Sequence, residues 1–267
     1  MHRFALKRPS TAVVQLRGVI GGGTRLASMV DVLQSVSEDD AVRALLLDID
    51  SPGGSASASD AIRLAVKRVQ ERKPVLAFVR NIGASGAYLI CCAATRVMAM
   101  PTSLVGSIGV ISVRPQLSDL LERTGIKLSV KKAGRLKDLG AFWREQTDEE
   151  QQVEQRLIDE YYDHFVDVIV AARGLPREQV LEFATGEVFS GQRSLQMNLV
   201  DEIGDWHDAQ RVVSQLGGLR EPRVVYRQPK RTFAERLLGR NSASANLRTL
   251  LSSRALYLDV RSLIDDP

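Results

Sequence analysis

Val75-Leu76-Ala77-Phe78-Val79 leads through Gly83-Ala84-Ser85-Gly86-Ala87-Tyr88 into a small-residue apolar run that ends at Ala94. An apolar run, a turn carrying two glycines and a second apolar run read as strand, tight turn and helix, with Ser85 at the turn. A serine between Gly83 and Gly86 sits where the backbone can be strained and the hydroxyl exposed. The backbone N–H that follows lies at a helix start, where partial positive charge stabilises an anion. The plainer meaning of the same residues is a small-residue turn that lets a helix pack close to a sheet.

Working outward, the flanks repeat this alternation. Ala12 to Leu16 is a β-branched apolar strand, and the glycines from Gly18 to Gly23 break it into a loop. Ala27 to Ser37 has helical spacing, with Met29, Val30, Leu33 and Val36 on one side. Val42 to Ile49 is apolar enough to be buried on both sheet faces. Asp50-Ser51-Pro52-Gly53-Gly54 turns it into a helix from Ser57 to Arg72. Strands at 75–80 and 96–100 bracket the Ser85 helix. Strand, helix, strand at this spacing calls for right-handed crossovers and a largely parallel sheet. Val105 to Ile111 is apolar but holds Gly106 and Gly109, which marks a close backbone approach. Leu117 to Thr124 is a short helix closed by Gly125, and Lys127 to Lys131 alternates like a half-exposed strand. Thr147 with Glu150 three residues on is a capping box opening a long helix that Gly174 and Pro176 end. His164 lies inside that helix and reads as a packing or surface residue. Arg177 to Phe183 is a helix, Glu187 to Gly191 a strand and turn, and Leu199 to Gly204 leads to a last helix.

Length and composition fit a soluble globular chain: 267 residues, 44% apolar and 25% charged, with no run of membrane-spanning length. The N-terminus has no apolar stretch of signal-peptide size, so either a cytoplasmic location or an anchor outside this sequence is expected. Cys91 and Cys92 are adjacent and read as small buried residues, not a staple. With three histidines and no ligand spacing, no metal and no cofactor is expected. The net charge of +4 is uneven: 11 basic and 5 acidic residues follow from Arg211, leaving 25 basic and 27 acidic before it. A basic C-terminal extension, 216–267, is therefore set apart from a main domain, 1–215. Such a tail is either simply solvated or suited to an anionic lipid surface. Peripheral membrane contact, and no nucleic acid, is the expectation. Thr232 to Leu238 and Leu247 to Leu256 have amphipathic spacing that would dock on a neighbouring subunit or a membrane.

In a parallel sheet the two glycine turns gather at the carboxyl ends of the strands. Backbone N–H groups from Gly54 and Gly86 would then face one spot, an oxyanion hole beside Ser85 as nucleophile. No histidine is placed as its base. A lysine serves if it is neutral, and lowering its pKa from ~10.4 to ~7 costs about 4–5 kcal/mol, which demands a dry setting. Lys131, Lys132 and Lys137 are the candidates, and position alone does not choose among them.

Five segments, at 50–54, 83–88, 106–110, 137–138 and 186–204, resemble the signal peptide peptidase A (SppA) family of serine–lysine proteases, in order and with family spacing from Val13 to Trp206. The resemblance implies a Clp-protease/crotonase-like α/β fold: repeated β-β-α units, a largely parallel sheet, a long helix and assembly into rings or domes. It implies Ser85 as nucleophile and Lys137, in Gly134-Arg135-Leu136-Lys137-Asp138, as general base. Ser107 would orient the lysine, and the strand around Gly106, Ser107 and Ile108 would line the substrate groove. Oxyanion donors would come from Gly54, Gly86 and Gly53. The chain departs from the family after Lys-Asp, where Leu139-Gly140-Ala141 stands in place of an early proline. The implied activity is cleavage of extended apolar peptides, such as signal-peptide remnants or membrane-protein segments. Two other functions share the architecture: crotonase-type chemistry on acyl-coenzyme A thioesters, and a non-catalytic peptide-binding scaffold.

Overall fold

The computed structural model describes residues 8–21 and 24–229. The chain clusters into two units, Met1–Gln228 and Pro229–Pro267. The amphipathic segments expected within 232–256, and with them any contact of the tail, lie outside the described residues.

Three strand–helix units build the centre: β1 (Ser10–Arg17), α1 (Thr24–Glu38), β2 (Val42–Ser51), α2 (Ala56–Gln70), β3 (Val75–Ala84) and α3 (Gly86–Cys91). β4 (Arg96–Ala99) and β5 (Leu104–Gly106) follow, then helices α4 (Ser118–Thr124), α5 (Asp148–Arg173) and α6 (Arg177–Phe183). β6 (Val188–Ser190), α7 (Gly191–Gln196), β7 (Glu202–Ile203), α8 (Trp206–Leu216) and β8 (Val224–Tyr226) complete the order. The sheet runs β6-β5-β3-β2-β1-β8, with β4 paired to β3 and β7. Its pairs are parallel except β5 with β6.

β3 is the branch point. Leu76 to Val79 pair with β4, while Ile82 to Ala84 pair with β5. The chain bends between the two halves, and the β2–β3 register shifts there, so that Ser51 comes opposite Gly83. A Cβ on Gly83 would meet Val79 Cγ2 at 2.7 Å, which is why the bend holds glycine. This fork carries the end of β3, and Ser85 with it, away from the body of the sheet.

The apolar strands are buried on both faces. Ala12, Val14, Leu45, Leu47, Val75 and Ala77 face the main core under α1, α2, α3 and α5. Val13, Leu46, Leu76 and Phe78 face a second core closed by Ala209, Val212 and Val213 of α8. Asp48 lies on this second face and is fully buried. It accepts hydrogen bonds from Gln15 Nε2 (3.1 Å), Arg17 (3.1 Å) and Arg80 Nε (3.0 Å). Arg80 in turn lies 4.4 Å over the Trp206 ring.

Thr147 caps α5 as expected, exchanging hydrogen bonds with Glu150, and Gly174 ends it at φ 65°. The first turns of α5 reach beyond the core: Glu150 is their one buried residue before Phe165. Cys91 is buried and Cys92 half-buried. Desolvation pushes both thiols up, Cys92 to about 12, so neither is a nucleophile.

Two expectations need revision. Lys127–Lys131 forms no strand. No main-chain hydrogen bond is made from 127 to 131 among the described residues, so the alternating segment joins no ladder and leaves Leu128 and Val130 exposed. The sheet also continues past 215: β8 pairs with β1, and Arg227 N donates to Val13 O at 2.9 Å. Among the described residues, no helix is long and apolar enough to cross a membrane.

Candidate active site

Ser85 follows β3 and caps α3 with φ 52° and ψ −126°, a conformation that costs an L-residue ~1–3 kcal/mol. Two bonds over-determine it: Ser85 N–H donates to Gly106 O at 2.8 Å, and Leu89 N–H to Ser85 O at 3.0 Å. The side chain is half-buried, and its hydroxyl has no hydrogen-bond partner among the described residues.

The turn after β2 lies against it. Gly53 O accepts from Ile20 N at 2.8 Å, and Ile20 O accepts from Ser55 N at 2.8 Å. Gly53 N–H is spoken for: it donates to the buried Ser51 Oγ at 3.2 Å. The N–H groups of Gly54 and Gly86 have no protein acceptor among the described residues. The approach is close. A Cβ on Gly53 would sit 2.7 Å from Gly86 N. A Cβ on Gly86 would sit 2.2 Å from Ser59 Oγ and 3.6 Å from Gly54 N. Only glycine lets these main chains meet. The two turns thus bring two free donors, Gly54 N–H and Gly86 N–H, close to Ser85, while Gly53 fixes the turn.

Gly106 and Ser107 follow at φ 107° and 50°. Ser107 N–H donates to Glu187 O at 2.7 Å and Gly186 N–H to Ile108 O at 3.0 Å. Ile108 is fully buried in the main core, so it offers a groove only its main chain. From Gly109 to Pro115 no main-chain hydrogen bond is made within the described residues. Ile111 is 71% and Val113 79% exposed. A cleft of about 310 Å³ opens beside this segment, lined by Val110, Ile111, Leu139, Leu157 and Tyr161.

Lys137 stands in a loop, not a strand; its N–H donates to Gly134 O at 3.2 Å, and its side chain is exposed. No hydrogen bond joins its Nζ to Ser85 or Ser107 within the protomer. Lys131 is exposed, and Lys132 donates to Arg135 O (3.0 Å) and to Asp138. The protomer therefore brings Ser85, Gly54, Gly86, Gly106 and Ser107 together and leaves the lysine at its surface. His164 lies on α5 with Nε2 3.1 Å from Asp60 Oδ1, a packing contact with α2 as expected.

Sequence reasoning missed two features here. The hydroxyl of Ser51 anchors Gly53, and Arg144 ties Asp138 to Glu150. Only the Arg144–Glu150 spacing, beside the capping box, carried a signal for the second.

A family model described as peptidase family S49 matches residues 67–220. The chain is similar to a Synechocystis sp. protein designated a proposed protease, slr0021, with 40% identity over 217 residues, 81% of this chain and 78% of that one. It is similar to the chloroplastic serine protease SPPA of Arabidopsis thaliana, with 30% identity over 206 residues, 76% of this chain. The matched part is only 30% of that longer relative. A solved structure of the 1510-N membrane-bound stomatin-specific protease, in mutant form, matches with a TM-score of 0.55 over 85% of this chain and 100% of that one. At 16% identity that likeness is one of fold.

Proposed function

The chain belongs to peptidase family S49, with relatives of SppA type, and on that premise we propose that it is a serine endopeptidase acting through Ser85 and Lys137. One observation carries the reading: at the end of β3, a residue held at φ 52° with a partnerless hydroxyl is followed by the free N–H of Gly86 and packs against the turn that carries the free N–H of Gly54.

The neutral amine of Lys137 takes the Ser85 Oγ proton as that oxygen bonds to the scissile carbonyl carbon. Charge develops on the carbonyl oxygen and meets the N–H groups of Gly54 and Gly86, each worth ~2.7–4 kcal/mol in such a role. The ammonium passes its proton to the leaving nitrogen as the C–N bond breaks. Water then gives a proton to the same lysine and attacks the ester, and Ser85 regains its hydrogen. Ser107 orients the amine.

The unpaired main chain of Gly109–Pro115 supports binding of an extended peptide as an added strand. The cleft beside it, mostly apolar but also holding the Arg114–Glu154 pair, favours apolar side chains, as in signal-peptide remnants or membrane-protein segments.

An amine left in water stays protonated at neutral pH, so Lys137 needs a cover that a single protomer lacks. A homo-oligomer, ring or dome, supplies it and completes the site across subunits. The exposed apolar residues on the same stretch support this: Ile111, Val113, Leu120, Ile126, Leu128 and Val130.

Peptide cleavage by the purified full chain tests the reading. Ser85→Ala and Lys137→Ala should each lower turnover at least ~10³-fold without unfolding the protein. Undiminished turnover in Lys137→Ala would move the base elsewhere, and in Ser85→Ala would end the serine mechanism.

A further inference from the structure

The Lys137 loop is held by charge, not by burial. Residues 131–135 are all exposed, and no strand pairs with them. What fixes the turn is Asp138, the residue after the lysine. Lys132 takes its Oδ1, and Arg144 takes its Oδ2 at 3.0 Å. Arg144 is itself anchored: NH1 donates to Glu150 Oε2 at 2.8 Å and NH2 to Oε1 at 2.5 Å. Glu150 is buried and belongs to the capping box of α5, so the chain of contacts ends on a rigid element.

Asp138 has a chemical consequence for its neighbour. A carboxylate beside an amine favours the ammonium and spoils a base. Here both its oxygens are engaged, and no ion pair joins Asp138 to Lys137. Of the other charges around the loop, Arg135 pairs with Glu149 and Arg114 with Glu154, both glutamates on α5, while Lys131 is exposed and has no ion-pair partner among the described residues. Hydrogen bonds from Lys132, then Arg144, hold the Asp138 carboxyl below its ordinary range. Those from Arg144 hold Glu150 at about 2.

We infer that Arg144 is a positioning residue for Lys137: braced on Glu150, it fixes Asp138 and keeps that carboxylate off the neighbouring amine. The inference rests on Lys137 being the base. Arg144 touches no substrate; it acts through the loop.

The test titrates the Lys137 amine in the full chain by competitive acetylation, read by peptide mass spectrometry, alongside kcat and KM on a quenched apolar peptide. In Arg144→Met the midpoint for Lys137 should rise by about one pH unit, with kcat at neutral pH down about tenfold and KM within about twofold. Adding Asp138→Asn should return the midpoint to its original position, because the freed carboxylate is gone. An unmoved midpoint in Arg144→Met, or a rise that persists in the double variant, overturns the inference. If Arg144→Met does not fold, Arg144→Lys is read the same way, since a single ammonium cannot grip both carboxylates as the guanidinium does. The titration needs no turnover. Absent Ser85-dependent cleavage would defeat the enzymatic reading and leave this readout standing.

Discussion

Ser85 is held at φ 52° by one bond to Gly106 and one to Leu89, and the strain sits where the chemistry is proposed. Its neighbours are as constrained. In Gly86→Ala the new methyl would lie 2.2 Å from Ser59 Oγ, so turnover should fall at least ~100-fold and the melting temperature should drop. Ser59→Gly in the same chain opens that space and should recover most of the loss, in both the peptide assay and the melt. Ser51→Ala leaves the Gly53 N–H buried without its acceptor. It should cost about 1–3 kcal/mol in chemical denaturation and lower kcat more than it raises KM. These glycines were legible because close main-chain approach admits nothing larger. That the Gly53 N–H is taken up by Ser51 while the Gly54 N–H stays free was not legible, because it depends on which way each amide turns.

Among the elements, β2 shows where apolar patterning reaches its limit. Val42 to Ile49 read as an apolar strand covered on both sides, and it is one. Yet Asp48 in its midst is fully buried, satisfied by Gln15, Arg17 and Arg80 from the flanking strands. Cross-strand partners are set by register, which no local pattern displays. Asp48→Ala removes the acceptor shared by Gln15 and two partly exposed guanidiniums and should cost about 1–3 kcal/mol in urea unfolding, with Asp48→Asn milder. The 127–131 segment failed in the opposite sense: its alternation is real, but a strand needs a paired neighbour, and its main chain makes no hydrogen bond among the described residues. The α5 cap was readable from Thr147 and Glu150 alone, and it carries a pH signature. Glu150 is lowered from 4.5 to about 2, chiefly by Arg144. Its stabilisation of the helix start is therefore complete above ~4.5 and is lost as pH falls toward 2. The Gln151 N–H donates to Thr147 O, and its protection, the exchange rate relative to an unstructured chain at the same pH, should fall across that window; unchanged protection would deny the contribution.

For the whole molecule, the parallel sheet follows from the repeated strand–turn–helix order, and the family match over residues 67–220 agrees with that fold. β8 was not readable, because three residues after a glycine pair carry too little pattern. Nor does one protomer make the lysine dry. Ile126→Glu with Val130→Glu should reduce the particle in solution to the mass of one chain and abolish turnover while the protomer's own melt is kept. A wild-type chain already of monomeric mass would count against assembly. The most direct measurement is covalent labelling of the intact protein by a fluorophosphonate, with the labelled peptide mapped by mass spectrometry. The expected result is a single adduct on Ser85, formed at least ~100-fold more slowly in Lys137→Ala. An adduct on another residue, or an unchanged rate without the lysine, would contradict a serine activated by that amine.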